Sequence, residues 1–236
     1  VTKPIRQRGK VAELAIGFGG GLGALQALGV DGHSLVLDEE GREIVTRWRI
    51  ANDWCVKFWG RYDDEGASGL WGAALTAMER PRTMQAAGRI RFYYLPELAK
   101  SLLMILPSGR ILTYRDIRFE RVADLNDDDE IIGYSTQLRF HKGYYRSKLW
   151  HGTFCENAVQ AVAADILRGT LVRLEAESPG AVAHTHDEVV LEVADGDEDY
   201  AMRELRRIMV RGFDWSDGLP IMSEESCGWY YSKLED

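Results

Sequence analysis

A row of side chains near the start of the chain could bind a nucleotide. Arg6, Lys10, Leu14 and Phe18 are each four residues apart, and on an α-helix this spacing advances about 40° per step over about 18 Å. Arg can bind phosphate oxygens as a fork, and Lys can act as a point charge or a proton donor. The stripe therefore suits a ligand with a polyphosphate at one end and a flat base at the other. The alternative is an ordinary amphipathic helix in which Lys10 pairs with Glu13.

A second cluster, His184-Thr185-His186-Asp187-Glu188, lies between two short apolar segments. Adjacent carboxylates are costly to place together unless they are solvated or bind a cation, and such oxygens suit Mg²⁺ bound together with substrate phosphates. The two histidines would share one face of a strand, which suggests zinc as an alternative metal, but the sequence offers no convincing third ligand. The residues by themselves leave open a solvated turn with surface histidines or a Mg²⁺ site at Asp187 and Glu188.

The glycine-rich run that follows the first stripe contains a weak nucleotide-binding signal. Gly19 to Ala24 satisfies the pattern G-x-G-x-x-A. A dinucleotide fingerprint must follow a strand and open a helix, whereas the preceding residues are typical of a helix. We therefore expect the glycines to let the backbone approach a ligand or another chain. A nucleotide-binding oxidoreductase would rest on this cluster alone and is the weakest hypothesis.

Charge is distributed unevenly along the chain. The 37 acidic and 29 basic residues give a net charge of −8, which by itself disfavours a polyanionic partner. Residues 1–10 and 139–150 are nevertheless basic patches without acids, whereas 124–130 and 195–199 are acidic loops that favour a solvated surface. The second basic patch contains four cations interleaved with aromatic residues: Arg139, Lys142, Arg146 and Lys148 with Phe140, Tyr144, Tyr145 and Trp150. This patch is typical of a surface that contacts phosphates and stacks on bases or sugars.

Length and composition indicate a folded chain with one or two domains. It has 236 residues, of which 45% are hydrophobic and 28% charged, as in globular proteins. No apolar run approaches the roughly 18 residues of a membrane span, and the first ten residues lack the apolar core of a signal peptide, so we expect a cytoplasmic protein without a membrane. Cys55, Cys155 and Cys227 form no metal or disulfide pattern. Val1 hints that the chain begins inside a longer product or was trimmed.

The pattern of apolar residues predicts an α+β fold. Helices are expected at 5–16, 23–28, 44–62, 153–177 and 200–210, a hairpin at 103–114, and two short strands within 181–193. Trp48, Val56 and Trp59 are spaced for one buried stripe of the third helix. Thr153 opens a capping-box pattern for the long fourth helix. These elements would hold the cationic stripe on a helix and the two carboxylates at the turn between strands.

Several segments, in this order, resemble one protein family. Arg6-x3-Lys10-x7-Phe18-Gly19 resembles motif B, the fingers helix of family A DNA polymerases, and His186-Asp187-Glu188 resembles their motif C. Further segments resemble the bacteriophage and prophage branch of this family: RQRGKVAELAIGFGGGLGAL, WRIANDWCVKFW, LPSGRILTY, ENAVQAVAADIL and HTHDEVVLEV. The HDE triplet alone is weak, but motif B, the hairpin, the helix and HDE in order are a specific combination. The resemblance covers residues 3–193 and, more loosely, the remainder.

The resemblance implies a role for each residue of the first stripe. Arg6 and Lys10 would contact the incoming triphosphate, with Lys10 as proton donor to the pyrophosphate. Leu14 stands where family members often carry an aromatic residue that gates the sugar, which leaves sugar discrimination open. Phe18 would lie beside the template base, with Gly19 next to it.

The resemblance also implies DNA and metal contacts elsewhere in the chain. Asp187 would hold two catalytic Mg²⁺ ions with support from Glu188, His186 would lie near the primer end, and Gln160 would touch the minor groove of the primer-template. The basic patch, Arg139, Lys142, Arg146 and Lys148, would contact backbone phosphates, although it matches no family motif.

Two-metal catalysis needs a further carboxylate, which family members carry in motif A, D-Y-x-x-x-E-x-R, ahead of motif B. The segment Asp199–Arg206 spells this pattern. It follows an acidic loop that cannot be a buried strand, and it comes after motif C, so we interpret it as the start of a surface helix. The metal site would therefore be shared with an aspartate outside this chain.

These observations predict part of a family A DNA polymerase. Residues 1–100 would be a helical fingers-like region, and 101–236 a palm-like region with part of an antiparallel sheet and packed helices. The chain would act on primer-template DNA and dNTPs together with an N-terminal polymerase segment that carries motif A, and would be inactive alone. The alternative is a non-catalytic derivative that binds nucleic acid or a partner polymerase.

Overall fold

The computed structural model describes residues 3–28, 38–60, 62–63, 66–126, 128–178 and 180–231 and has an α+β fold. The helices are α1 (Lys3–Ile16), α2 (Leu22–Leu28), α3 (Asp38–Ala51), α4 (Asp53–Trp59), α5 (Gly69–Glu79), α6 (His151–Glu177) and α7 (Glu198–Met209). The strands are β1 (Tyr62–Asp63), β2 (Gly66–Ala67), β3 (Gln85–Ala87), β4 (Ile90–Leu95), β5 (Ser101–Ile105), β6 (Ile111–Leu125), β7 (Ile131–Lys142), β8 (Tyr145–Lys148), β9 (Ala183–Thr185) and β10 (Glu188–Val190). No described helix is both long enough and apolar enough to cross a bilayer.

The chain forms two compact units, residues 1–158 and 159–236. Helix α6 contributes its first residues to one unit and its remainder to the other. The boundary at residue 100 concerns the fingers and palm of an enzyme and stays a prediction.

Helices α1, α2 and α3 bury one apolar cluster in the first unit. Val11, Ala15 and Ile16 of α1 pack with Leu25 of α2 and Val45 of α3. Val11 and Ala15 are four residues apart and so lie on the same side of α1. The predicted helices at 5–16 and 23–28 are confirmed with ends shifted by one or two residues.

The single helix expected over 44–62 is instead two helices, α3 and α4. Asn52 lies between them with φ −116° and ψ 42°, outside the helical region. Its side-chain amide donates to the Trp48 carbonyl at 3.0 Å, the same oxygen that its backbone N–H reaches at 2.9 Å. An asparagine that bonds nearby backbone in this way favours a helix break. Helix α3 also begins earlier, with Asp38, Glu39 and Glu40 in its first turn, where the dipole favours acids.

A six-stranded antiparallel sheet forms most of the rest of the first unit, in the order β3-β4-β5-β6-β7-β8. The predicted hairpin is confirmed as β5 and β6, with Gly109 at φ +88° in its turn. Strand β6 continues to Leu125 and pairs with β7, so the sheet extends well beyond that hairpin. Helix α5, which the sequence did not predict, packs on β3 and β4.

Aromatic side chains fill the space between the sheet and the start of α6. Phe154 of α6 is fully buried and packs edge-on against Phe92 and Tyr114, with ring centroids 5.3 and 5.2 Å apart. Asn157 donates to the Tyr114 hydroxyl at 2.9 Å, and burial raises the pKa of Tyr114 to about 12. Helix α6 begins at His151, two residues before the Thr153 expected to cap it.

The second unit joins the remainder of α6 to α7 through charged side chains. The Arg173 guanidinium lies 3.6 Å from the centre of the Phe213 ring and donates to the Gly212 carbonyl at 2.8 Å. Glu177 pairs with Arg207 and Arg211, each at 3.0 Å. The two short strands expected within 181–193 are confirmed as the β9–β10 hairpin, and α7 confirms the last predicted helix.

Candidate functional site

Helix α1 presents Arg6, Lys10 and Leu14 of the predicted stripe to solvent, whereas Phe18 lies beyond the end of the helix, half-buried in the turn that follows. Arg6 and Lys10 are exposed, and Leu14 is 53% exposed. Lys10 and Glu13, both described, make no ion pair with each other, and the Glu13 carboxylate accepts the Trp48 indole N–H at 2.8 Å. Neither cation makes an ion pair with any residue that the structure describes. The two charges are therefore available to an anionic ligand.

The loop after α1, with Phe18 and Gly19, rests on the first turn of α6. Gly19 is buried with φ +89°, and a Cβ there would lie 2.8 Å from His151 Nε2. A Cβ on Gly152 would lie 2.0 Å from the Phe18 carbonyl oxygen. Only glycine at positions 19 and 152 allows the loop and the first turn of α6 to come this close. The Phe18–Gly19 peptide is therefore held in one position against α6.

Side chains of α3 and α4 bind the carbonyl oxygens of the same loop. The Trp59 indole N–H donates to Gly17 at 3.0 Å, and the Arg49 guanidinium donates to Gly20 at 3.1 Å. The Trp59 ring also stacks in parallel on Trp48, with centroids 5.8 Å apart. These contacts explain the segment WRIANDWCVKFW structurally, because it holds the end of the cationic stripe.

The glycine-rich run is not a dinucleotide-binding loop. It follows helix α1 rather than a strand, so the oxidoreductase hypothesis loses the one feature on which it rested. A Cβ on Gly20 would lie 2.0 Å from the Ala15 carbonyl oxygen, which means that the backbone approaches its own helix. The close approach that the glycines were expected to allow thus involves this chain itself.

The His-Asp-Glu triplet lies on the β9–β10 hairpin. Thr185 pairs with Glu188, which leaves His186 and Asp187 as a two-residue turn. His186 has φ +50°, a left-handed conformation that is uncommon for residues other than glycine and marks constrained turns. Asp187 and Glu188 are both exposed at this tip.

Glu188 has a hydrogen-bond partner from the C-terminal segment. Its carboxylate accepts the Tyr231 hydroxyl, and this bond raises the pKa of Tyr231. Adjacent exposed carboxylates fit a hard cation such as Mg²⁺, which prefers oxygen ligands and retains several waters. Within the described part of the chain, no three histidine, cysteine or acidic side chains are grouped to bind a metal, so the zinc alternative gains no support.

The remaining predicted DNA contacts lie apart from these two elements along the sequence. Gln160 is exposed on α6. Lys142 and Lys148 are exposed at the edge of the sheet, whereas Arg139 and Arg146 are half-buried. Arg146 pairs with Asp116 and, at 2.6 Å, with Glu120. The basic patch therefore combines exposed lysines with internally paired arginines.

The segment that spells motif A begins in the first turn of α7. Asp199 is exposed there, and Tyr200 is 63% exposed. Its interpretation as the start of a surface helix is confirmed. The sequence did not single out Arg49, His151 or Tyr231, although the tryptophan spacing did mark the segment that holds the loop.

Comparison with known proteins finds similarity to a phage protein. The chain is 36% identical over 235 residues, 99% of its length, to a DNA polymerase of Bacillus phage SP02. It spans about a third of that protein, 34% of its length. No protein-family model and no solved structure matches the chain.

Proposed function

We propose that this chain provides the nucleotide-binding helix and the metal-binding hairpin of a family A DNA polymerase of phage type. The observation that carries the proposal is the exposed Arg6 and Lys10 on α1, with Phe18 and Gly19 fixed in the turn that follows this helix. The identity with the phage SP02 polymerase supports it along almost the whole chain.

On this proposal the α1 stripe binds an incoming dNTP. Arg6 binds phosphate oxygens with its guanidinium fork, and Lys10 holds the triphosphate and donates a proton to the departing pyrophosphate. Leu14 packs against the sugar, and Phe18 stacks beside the template base. The fixed position of the Phe18–Gly19 peptide supports this assignment, because stacking beside a base requires a fixed ring position.

The metal-binding part of the proposal assigns Mg²⁺ to the β9–β10 turn. Asp187 and Glu188 would hold the two Mg²⁺ ions with their carboxylate oxygens, together with a motif A aspartate from outside these 236 residues. When bound, the metal pair activates the primer 3′-hydroxyl and stabilises the leaving pyrophosphate. Tyr231 orients the Glu188 carboxylate through its hydroxyl.

Primer-template DNA is the partner in this proposal. His186 lies near the primer end, Gln160 contacts the minor groove, and the basic patch contacts backbone phosphates. The activity needs a polymerase segment that carries motif A, so the 236 residues alone are inactive.

Primer extension with Mg²⁺ and dNTPs tests the proposal, with the chain alone and with the motif A segment added. We expect synthesis only on addition of that segment. Lys10→Gln should lower turnover more than it lowers DNA affinity, whereas the matched control Lys57→Gln on α4 should change neither, because Lys57 pairs with Asp53 on its own helix. DNA binding without synthesis under both conditions would contradict the proposal and favour the non-catalytic alternative.

A further inference from the structure

One face of the six-stranded sheet carries two rows of cationic side chains. Strand register places Arg115 opposite His141 and His141 opposite Arg146. It also places Arg118 opposite Arg139 and Arg139 opposite Lys148. Strands are about 4.8 Å apart and residues two apart on a strand about 6.7 Å, so the two rows are neighbours. We call these six residues the basic sheet face.

The opposite face of the sheet is the one that packs on the helices. Phe140 lies between Arg139 and His141 in β7, and its ring packs edge-on against Tyr114 at 5.2 Å. Because side chains alternate between the two faces of a strand, Arg139 and His141 point away from that core. The basic sheet face is therefore directed to solvent.

The carboxylates on this face do not balance its charge. Asp116 and Glu120 are the acids that pair with Arg118, Arg139 and Arg146. Five Lys and Arg side chains against two carboxylates leave an excess of three positive charges, in a chain whose net charge is −8. Like charges on neighbouring strands destabilise a sheet unless they are compensated, so this excess is a cost to folding.

Two of the cations have no compensating partner among the residues that the structure describes. Arg115 and Lys148 are exposed, and no described carboxylate lies within ion-pair distance of either. The ion pairs of Arg139 and Arg146 instead tie β6, β7 and β8 together. The face thus has a fixed interior and two available cations at its ends.

An exposed aromatic ring lies beside this face. Tyr144, in the turn between β7 and β8, is fully exposed. A cationic surface with an exposed aromatic ring nearby is the combination that binds single-stranded nucleic acid, because cations follow the phosphates and rings stack on unpaired bases. Paired bases offer no free face to such a ring. Charge complementarity and the exposed ring therefore favour an unpaired strand over a duplex.

We propose that the basic sheet face binds the single-stranded template that extends beyond the primer, with Arg115 and Lys148 on its phosphates and Tyr144 stacked on a base. DNA as the ligand rests on the proposed function. The acidic tip of the β6–β7 ribbon, with Asp128 and Glu130, limits the surface at its far end, because it repels phosphates.

The test is binding of labelled oligothymidylate to the full chain, without dNTP or metal, measured by fluorescence anisotropy between about 50 and 200 mM salt. The double variant Arg115→Gln with Lys148→Gln should lower the slope of log K against log salt by about 1.4, about 0.7 for each phosphate that is no longer neutralised. Tyr144→Ala should weaken binding by about fivefold or more without changing the slope, since stacking releases no counterions. Arg203→Gln, an exposed cation of α7, is the matched control and should change neither quantity.

Three results would overturn the proposal: no binding by the wild-type chain, a wild-type slope in the double variant, or an equal effect of that variant on duplex DNA. Circular dichroism of each variant excludes unfolding as the cause of weaker binding. Failure here is separate from failure of the proposed function, because a chain that supports primer extension while the double variant binds like wild type would refute only the template surface. A chain that binds as expected but never supports synthesis would refute only the polymerase assignment.

Discussion

Replacement of Gly19 by alanine should displace the Phe18–Gly19 peptide from its position against the first turn of α6. A Cβ at this position would lie 2.8 Å from His151 Nε2 and 3.4 Å from the Trp150 ring. His151 cannot easily move away, because its ring stacks on Trp59 at 6.1 Å and meets Trp150 edge-on at 4.7 Å. The backbone also has φ +89°, which alanine adopts only with strain.

The expected cost follows from these two effects. A left-handed conformation costs a residue with a Cβ about 1–2 kcal/mol. Overpacking a filled site costs about 1–3 kcal/mol more. The unfolded chain offsets about 0.4–1 kcal/mol, since alanine restricts it more than glycine does. We therefore expect Gly19→Ala to lower the free energy of unfolding by about 1–5 kcal/mol.

Urea denaturation followed by tryptophan fluorescence measures this difference, and three glycines serve as matched controls. Gly88 has φ +58° with nothing within 4 Å of an added Cβ, so Gly88→Ala isolates the backbone strain. Gly21 has open space and no positive φ, so Gly21→Ala should leave stability unchanged or slightly raised. Gly20 lacks a positive φ but would place a Cβ 2.0 Å from the Ala15 carbonyl oxygen, so Gly20→Ala isolates the steric effect. If Gly19→Ala lowers the free energy of unfolding no more than Gly88→Ala does, the proposed close packing of Gly19 against His151 is refuted.

Further predictions concern single side chains. Trp59→Phe removes the indole donor and leaves the half-buried Gly17 carbonyl with only the weak Cys55 thiol, which should lower the free energy of unfolding by about 1–3 kcal/mol in the same urea assay; an unchanged midpoint would contradict the bond. Burial raises the pKa of the Cys155 thiol from 9.0 to about 11. The unfolded chain therefore loses this proton first, and the free energy of unfolding should fall as pH rises from about 9 to 11. The thermal midpoint of Cys155→Ala should fall less steeply over this range, and equal slopes in the two proteins would contradict the assignment. Tyr231→Phe removes the hydroxyl that orients the Glu188 carboxylate and should weaken Mn²⁺ binding, measured by electron paramagnetic resonance, by up to about fivefold; unchanged or tighter binding would contradict this role.

The helices that carry the cationic stripe could be predicted from local sequence because their signals are local. Arg6, Lys10 and Leu14 needed only the helical period to be placed on one exposed side of α1. The break at Asn52 was missed because the surrounding tryptophans keep the helical spacing across it. One polar side chain that bonds its own helix outweighed that spacing.

The sheet from 115 to 148 was missed although a signal existed. Ile117 to Val122 largely alternates apolar and charged residues with the period of a strand. The segment 139–150 is visible in the sequence as a run of positive charge. The linear sequence does not show which of its cations are neighbours across strands. The ion pairs separate Arg139 and Arg146, which bind Glu120, from Arg115 and Lys148, which pair with no carboxylate in the described part of the chain.

The residues that hold the Phe18–Gly19 peptide could not be identified from sequence. Arg49 and Trp59 reach loop carbonyls that lie 29 and 42 residues away in the chain, and His151 is more distant still. Such contacts depend on the packing of α1, α3, α4 and the start of α6, and they leave no periodic pattern in the sequence. The glycines in the sequence indicate that backbone comes close to another group, but they do not show that this group is the first turn of α6.

Primer extension by a chimaera would decide whether this chain carries the nucleotide-binding and metal-binding residues of a polymerase. In the chimaera, this chain replaces the region of the phage SP02 polymerase to which it is 36% identical. We predict template-directed incorporation of dNTPs with Mg²⁺, reduced to background by Asp187→Asn, which removes the metal-binding charge and keeps the size of the side chain. Incorporation at the unsubstituted rate in the Asp187→Asn chimaera, or none in an unsubstituted chimaera that folds and binds primer-template DNA, would contradict the polymerase assignment.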